Sequence, residues 1–182
     1  MSKEEVRAHA TALGLAVADK SDSQDICFIP DGDYIRFLER EGGGGQGGGE
    51  IVHVSGRILG RHEGTYRYTI GQRRGLGLTW PEPLFVVNID APAKRIVVGE
   101  RHHLDVRELT VADTNWIIDE PTAPITARCR IRYRHHEAPA TISPLADGRC
   151  SVLFDEPQQG VTPGQAAVFY DGDKVLGGGW IE

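Results

Sequence analysis

The chain has 182 residues, of which 40% are hydrophobic and 25% are charged, and its formal net charge is −6 at pH 7. This composition is typical of a soluble globular protein with one domain or two small ones, and no apolar run is long enough to span a membrane. The negative net charge mildly disfavours a nucleic-acid-binding protein, although phosphate contacts need only a local basic surface.

The chain begins with a predicted helix. Ser2 and Glu5 have the S-x-x-E spacing of a capping box, and Gly14 provides a stop after a helical stripe of apolar residues. The stripe consists of Val6, Ala10 and Leu13. Little in the following sequence can cover this helix, so we expect its packing partners to precede it in a longer protein. The same N-terminal stretch lacks the apolar core of a signal peptide, which predicts a cytoplasmic location.

Cys27 ends a polar run in the stretch SDSQDICF, where it lies between Ile26 and Phe28. It is either a small buried apolar residue, as most free cysteines are, or a reactive thiol presented by a loop at the start of a strand. The residues alone leave both interpretations open. The three cysteines of the chain have no C-x-x-C spacing, which disfavours a disulfide framework and a structural zinc site.

A second helix is predicted at Tyr34–Arg40, where the apolar side chains have helical spacing, after a turn or cap in residues 31–33. The following run, GGGGQGGG, occupies Gly42–Gly49 and has no side chains to bury. We interpret it as a flexible linker, either a natural variable loop or an engineered replacement.

From Ile51 onward the sequence consists of short β-rich runs separated by Gly, Pro and Asp. The turn signals recur about every 8–12 residues, which is typical of a small barrel or sandwich. Asp147-Gly148 and Asp171-Gly172 predict hairpin turns. A boundary between two β-rich blocks is expected near residues 105–108. The predicted fold class is therefore mainly β, with a short α-helical N-terminal part.

The loop TIGQRRGLG contains Arg73 and Arg74 between glycines. Its glycine order, G-x-x-x-G-x-G, differs from the dinucleotide-binding fingerprint G-x-G-x-x-G, so a nucleotide cradle is not expected. The loop either brings the two arginines close to a ligand or is simply a tight connection.

The strongest basic feature is the stretch RCRIRYRHH. Because alternate residues of a strand share a face, one face is predicted to carry four arginines and the other face three less polar residues. The arginines are Arg128, Arg130, Arg132 and Arg134, and the opposite face has Cys129, Ile131 and Tyr133. The clustered guanidinium groups indicate either a phosphate-binding surface or a solvated face neutralised by Asp and Glu.

The histidines occur in two adjacent pairs, His102-His103 and His135-His136. In a strand, the two rings of each pair would point to opposite faces, which is poor geometry for metal binding. We therefore interpret both pairs as surface residues and expect no metal site.

Four motifs follow one another in fixed order along the chain: DSQDICFI, GRILGRHEGTYRYTIGQRRGLG, RCRIRYR and FDEPQQGVTPGQAAVFYDGDKVLGGGWIE. In this order they strongly resemble the tRNA-specific 2-thiouridylases, the MnmA/TrmU family. The resemblance extends from about Lys3 to Glu182 and departs from the family only in the Gly42–Gly49 region.

The resemblance implies a sulfurtransferase that uses ATP, with Mg²⁺, to adenylate C2 of the wobble uridine of tRNA, where sulfur then replaces oxygen. Cys27 matches the catalytic cysteine that carries the sulfur as a persulfide, loaded by a cysteine desulfurase or a sulfur-relay protein. Another cysteine of the family then resolves the persulfide and leaves a transient disulfide. Arg132 and Tyr133 match a tRNA-contacting pair in the family, and Gln165 matches a further tRNA contact.

The resemblance also implies a domain organisation. The family begins with an ATP-pyrophosphatase domain that carries an SGGxDS loop and the first catalytic cysteine, and this sequence contains neither. We therefore expect residues 1–26 to be the terminal helix and loop of that domain, residues 27–107 a central domain, and residues 108–182 a tRNA-binding β-barrel. The ATP site would lie outside this chain, which alone is expected to be inactive.

Two other interpretations remain. The chain could be a non-catalytic β-barrel module that binds RNA or protein, or a purely structural domain. Cys129 and Cys150 lie in strand patterns and match no catalytic position of the family, so we interpret both as buried structural thiols.

Overall fold

The computed structural model describes residues 2–16, 18, 29, 33–41, 47–133 and 135–182. The chain divides into two compact units, Met1–Gly44 and Gly45–Glu182. Cys27 and most of the glycine run lie outside the described residues. No helix in the described part of the chain is long and apolar enough to cross a membrane.

The first unit contains two helices, as the sequence predicts: α1 at Lys3–Ala12 and α2 at Tyr34–Arg40. The capping box of α1 is formed, because Ser2 Oγ accepts a hydrogen bond from the Glu5 amide and the Glu5 carboxylate accepts one from the Ser2 amide. The N-terminus of α2 is capped by Asp33, whose carboxylate accepts a hydrogen bond of 2.9 Å from the Arg36 amide.

The second unit begins with a four-stranded sheet in the order β2-β1-β4-β3. Its strands are β1 (Gly49–His53), β2 (Ile58–His62), β3 (Phe85–Asp90) and β4 (Arg95–Gly99). The pair β1–β4 is parallel, whereas β1–β2 and β3–β4 are antiparallel. The buried core of the sheet consists of Ile51, Leu76, Leu84, Val86, Ile96 and Val98.

The end of the glycine run belongs to this sheet, so its interpretation as a linker is wrong for Gly48 and Gly49. Gly49 is the first residue of β1, and a Cβ there would lie 1.7 Å from the Lys94 carbonyl oxygen. A Cβ on Gly48 would lie 2.3 Å from the His62 carbonyl oxygen. The two backbones approach too closely for any side chain, and glycine is required for packing at these positions.

A closed six-stranded barrel follows in the order β10-β5-β8-β7-β6-β9, which confirms the predicted barrel. Its strands are β5 (Asp105–Trp116), β6 (Ile125–Arg130), β7 (Ala138–Pro144), β8 (Cys150–Gln159), β9 (Ala166–Asp171) and β10 (Lys174–Ile181). The fully buried interior includes Phe154, Phe169, Ile142, Val111 and Val152. Both predicted hairpins are present, and Asp147 and Gly148 have the positive φ angles, 60° and 65°, that a tight hairpin turn requires.

A short 3-10 helix, Arg101–Leu104, joins β4 of the sheet to β5 of the barrel. The Arg101 Nε–H donates a 3.0 Å hydrogen bond to the carbonyl oxygen of the Gln159 side chain. The Gln159 amide nitrogen donates in turn to the Asp105 carboxylate at 2.6 Å. The joint between sheet and barrel is therefore tied to the end of β8.

Candidate nucleic-acid interface

Two of the four predicted face arginines share one carboxylate, that of Glu137, which offsets one of their two positive charges. Arg130 forms a 2.8 Å ion pair with the Glu137 carboxylate, and Arg128 Nε lies 3.7 Å from the other oxygen of the same carboxylate. The Arg130 guanidinium also lies over the Tyr170 ring, 5.4 Å from its centroid. Arg128 and Arg130 therefore follow the solvated alternative with partial neutralisation, and Arg134 lies outside the described residues.

Strand β6 ends at Arg130, so the predicted alternation of faces stops there. Cys129 and Ile131 are fully buried, as the pattern predicts, but Tyr133 is 92% exposed instead of sharing their face. The physical reason is a tight turn, in which the His135 amide donates a 3.1 Å hydrogen bond to the Arg132 carbonyl oxygen. This turn presents Arg132 and Tyr133 to solvent together.

Arg132 lies against the backbone of the loop after β8. A Cβ on Gly160 would lie only 2.5 Å from NH1 of Arg132, and Gly160 has a φ of +76°. The φ angle favours glycine at this position, and an added Cβ would also displace the flexible end of the Arg132 side chain. Gly160 thus sets how close the Arg132 guanidinium can lie to the barrel.

Gln165 occupies the turn that leads from the same loop into β9. Its amide donates to the Thr162 carbonyl at 3.2 Å, and its carbonyl oxygen accepts a 2.9 Å hydrogen bond from the Ile181 amide. The backbone is fixed by these bonds, whereas the residue itself is exposed. Its carboxamide can both donate and accept hydrogen bonds from this position.

The strand register brings these residues to one rim of the barrel. The last pair between β6 and β9 is Arg130–Val168, and the two strands are antiparallel. The end of β6, which precedes Arg132, and the start of β9, which follows Gln165, therefore lie at the same end of the barrel. We call the surface formed by Arg132, Tyr133, Gly160 and Gln165 the arginine rim.

The charge of the arginine rim is carried by Arg132, because the adjacent histidine is held neutral. Burial lowers the pKa of His135, and the nearby charges of Arg132, His136 and Arg130 lower it further, while a hydrogen bond to Gln158 opposes them. The His135 Nε2–Gln158 oxygen distance is 3.0 Å. The rim thus offers one exposed guanidinium, one aromatic ring and one carboxamide, which can bind phosphate, a base face and a base or sugar edge.

Three family models match consecutive parts of the chain. They are the tRNA methyl transferase HUP domain at residues 1–31, the tRNA methyl transferase PRC-barrel domain at residues 36–100, and the Aminomethyltransferase beta-barrel domain at residues 106–181.

Curated relatives named tRNA-specific 2-thiouridylase MnmA align with the whole chain. The protein of Syntrophotalea carbinolica is 65% identical over 181 residues, and the protein of Geobacter metallireducens is 56% identical over 182 residues. The protein of Trichormus variabilis is 50% identical over 184 residues. Each alignment covers 100% of this chain and 51%, 50% and 52% of the respective relative. This chain belongs to the MnmA family. It spans about half the length of the curated relatives that it matches.

Cys27, the predicted persulfide carrier, lies outside the described residues. Cys129 and Cys150 are free and buried in the barrel, as the sequence predicts. Burial raises the pKa of the Cys129 thiol to about 12 and that of Cys150 to about 11, so neither ionises at neutral pH.

The glycine loop of this chain, residues 69–77, is a tight connection with two exposed arginines, Arg73 and Arg74. The Gln72 side chain braces it, accepting a 3.0 Å hydrogen bond from the Thr69 amide and donating one of 3.0 Å to the Arg74 carbonyl. Arg73 also lines an open cavity of about 450 Å³ together with Trp80. The loop is therefore a tight connection beside a cavity, and the alternative that it brings the two arginines close to a ligand stays a prediction.

The histidine pairs depart from the prediction. His102 and His103 lie in the 3-10 helix instead of a strand, so their rings stack with centroids 4.0 Å apart instead of pointing to opposite faces. His102 and His136 are exposed, but His103 and His135 are partly buried, which makes the surface interpretation wrong for one member of each pair. Gly160 is not among the predicted site residues. The only local signal for it in the sequence is its place directly after a polar strand end.

Proposed function

We propose that this chain is the tRNA-contacting and sulfur-carrying part of a tRNA-uridine 2-sulfurtransferase, which makes 2-thiouridine at the wobble position. The observation that carries the proposal is the position of Arg132, Tyr133 and Gln165 at the same end of the barrel. The chain that forms this rim is similar along its whole length to proteins named tRNA-specific 2-thiouridylase. The family models carry a methyl transferase description, but the names of these relatives favour thiolation.

Each residue of the arginine rim has a separate role in this proposal. Arg132 binds a tRNA phosphate, because its planar guanidinium matches phosphate oxygens and the Glu137 carboxylate pairs with Arg128 and Arg130 instead. Tyr133, 92% exposed, stacks on a nucleobase or donates its hydroxyl hydrogen. Gln165 contributes a donor and an acceptor to a base or ribose edge.

Cys27 is the proposed sulfur carrier. A cysteine desulfurase or sulfur-relay protein transfers a sulfane sulfur to its thiolate, giving a persulfide. The terminal sulfur attacks C2 of a uridine that ATP has adenylated, and AMP leaves with the original oxygen. A second cysteine then attacks the Cys27 sulfur, which breaks the sulfur–sulfur bond, frees the 2-thiouridine and leaves a disulfide that cellular thiols reduce. The HUP domain of the full-length protein supplies the site for ATP and Mg²⁺. The reaction takes place in the cytoplasm, where cellular thiols keep cysteines reduced.

The sulfur-carrier role is tested in cells whose only full-length copy carries Cys27→Ser, by measuring the 2-thiouridine content of tRNA and the abundance of the protein. We expect thiolation to be lost while the protein stays folded and binds tRNA. The matched control is Cys150→Ala, which removes a buried thiol that does not ionise at neutral pH. Thiolation that persists in Cys27→Ser would show that Cys27 only fills space between Ile26 and Phe28.

The tRNA-binding role is tested on this chain by filter binding at two salt concentrations. We expect weak, salt-sensitive binding that Arg132→Ala reduces, because a phosphate contact releases counterions. Arg149→Ala is the control, since Arg149 lies in the hairpin at the other end of β8. Binding that responds neither to salt nor to Arg132→Ala would contradict the proposed interface.

A further inference from the structure

Three histidines surround one carboxylate at the joint between the sheet and the barrel. Glu100 follows the last residue of β4 and precedes the 3-10 helix that contains His102 and His103. His53, the last residue of β1, faces the same carboxylate. The Glu100 Oε2 atom lies 3.2 Å from Nε2 of His53 and 3.4 Å from Nδ1 of His103.

The Glu100 carboxylate is held in place as an anion. The indole N–H of Trp80 donates a 3.0 Å hydrogen bond to Oε1, and His53 donates to Oε2. The His53 side chain is only 9% exposed, and its Nδ1 accepts a 3.2 Å hydrogen bond from the Ser55 amide, which places the proton on the nitrogen facing Glu100.

The Nδ1 atom of His103 is buried and lies 3.4 Å from the Glu100 carboxylate, without the geometry of a hydrogen bond. This nitrogen is inaccessible to solvent and makes no hydrogen bond within the part of the chain that the structure describes. The ring is also packed closely, since a Cβ on Gly99 would lie 3.0 Å from this same nitrogen. An ion bound to both this nitrogen and the Glu100 carboxylate would give the same separation of 3.4 Å.

The spacing of the donor atoms fits one metal ion. Two ligands bound to a tetrahedral zinc ion at its usual bond lengths are about 3.4 Å apart, and the Glu100–His103 separation is 3.4 Å. Donor atoms of Glu100, His102 and His103 all lie within 4.8 Å of one another. The exposed His102 ring needs only a side-chain rotation to complete the set, and solvent can fill a fourth position.

We propose that Glu100, His102 and His103 bind one divalent transition-metal ion of the Zn²⁺ type at the joint between the sheet and the barrel. Two imidazoles and one carboxylate form a donor set that suits Zn²⁺ and its neighbours in the first transition row. His53 and Trp80 act as positioning residues, since they orient Glu100 without touching the ion. A bound ion would stabilise the 3-10 helix, from which Arg101 contacts Gln159 of the barrel.

The competing description is a simple ion pair between a protonated His103 and Glu100. The two descriptions differ in their response to metal, and Trp80 provides a local probe. Its indole nitrogen lies 3.0 Å from Glu100, and its ring lies 4.7 Å from the His53 ring. Ni²⁺ quenches tryptophan fluorescence only at short range, so it reports occupancy of this site in particular.

The test is a titration of the 182-residue chain with NiCl₂, followed by tryptophan fluorescence. We expect saturable quenching at one equivalent, which ZnCl₂ reverses in competition. His102→Ala and His103→Ala should each weaken Ni²⁺ binding by about tenfold or more, and His136→Ala, which removes an exposed histidine elsewhere, should not change it. Trp80→Phe should abolish the quenching.

Three results would overturn the proposal. They are the absence of saturable quenching, quenching that ZnCl₂ does not reverse, and binding that is unchanged in His102→Ala. His102 is exposed, so its variant keeps the fold and the outcome remains interpretable. As an independent measurement, ZnCl₂ should raise the melting temperature of the native chain more than that of His102→Ala, because a ligand of the folded state stabilises it.

Discussion

Replacing Gly160 by alanine tests whether the position of Arg132 determines RNA binding at the arginine rim. The added methyl carbon would lie 2.5 Å from NH1 and 3.1 Å from Cζ of Arg132, so the guanidinium must move away. The change also forces a non-glycine residue to adopt a φ of +76°. That conformation costs about 1–2 kcal/mol of folding free energy.

Gly148→Ala separates the two effects. Gly148 has a similar φ of +65°, but a Cβ there would meet nothing within 4 Å. Both variants therefore lose a similar amount of stability from backbone strain, and only Gly160→Ala displaces Arg132. Urea unfolding of the two variants checks that their stabilities match before binding is compared.

The expected loss of affinity follows from the contact that is disturbed. A hydrogen bond to a charged group contributes about 1.5–3 kcal/mol, and each 1.4 kcal/mol or so is a tenfold change in the dissociation constant. We expect a loss of about tenfold for Gly160→Ala, at the lower end of this range, since the exposed guanidinium can still reach the backbone from a shifted position. If the phosphate contact is lost completely, the slope of log K against log salt falls by about 0.7–0.9.

Filter binding of tRNA at several salt concentrations measures both quantities. Equal affinities of Gly160→Ala and Gly148→Ala would refute the reasoning, because the displaced guanidinium would then have no effect. A second test is the double variant Gly160→Ala with Arg132→Ala, in which the glycine substitution should add nothing. A further tenfold loss there would show that Gly160 acts on RNA binding by another route.

Two other predictions concern titratable groups. In the native chain, a colourless disulfide reagent should modify Cys27 rapidly and leave Cys129 and Cys150 unmodified until the chain is unfolded, because burial raises the pKa of the latter two thiols to about 12 and 11. Rapid modification of two or more thiols in the native wild-type chain would contradict this prediction. So would a wild-type chain in which no thiol reacts rapidly, as in Cys27→Ser. His135 has a pKa lowered from its ordinary value of 6.5, chiefly by burial and then by the charge of Arg132. The unfolded chain therefore binds its proton first, and stability should fall as the pH decreases through 6.5 towards the folded-state pKa. Urea unfolding at pH 7.5 and 5.5, roughly one unit either side of 6.5, should show a smaller pH dependence of stability in His135→Gln than in wild type. An equal dependence would refute this role of His135.

The buried half of strand β6 could be predicted from the sequence, and its end could not. Within Ile125–Arg130 the alternation of side chains is set by the local backbone, so Cys129 was correctly expected to be buried. The turn that exposes Tyr133 depends on a hydrogen bond between Arg132 and His135 and on the neighbouring loop. No periodicity within the stretch RCRIRYR encodes that loop.

The other differences between prediction and structure have two causes. One is a charged partner that lies beyond the strand, and the other is a local conformation that the sequence pattern does not indicate. Glu137 follows the turn after β6 and folds back to pair with Arg128 and Arg130, which a count of charges in one strand does not reveal. His102 and His103 were expected in a strand, and their 3-10 conformation depends on how the chain crosses from the sheet to the barrel. The matches of Arg132, Tyr133 and Gln165 came from the family resemblance, and only Arg132 was also indicated by strand periodicity.

The barrel closes on itself, so each of its six strands has a neighbour on both sides. Its backbone amides and carbonyls are used within the sheet, and no strand offers an edge to which an added strand could pair. An added strand therefore cannot extend this sheet, and its exposed surfaces are the outward-facing side chains and the loops at its two ends. Those loops can change in length and sequence without reopening the sheet, so the hydrogen-bonded wall tolerates their variation.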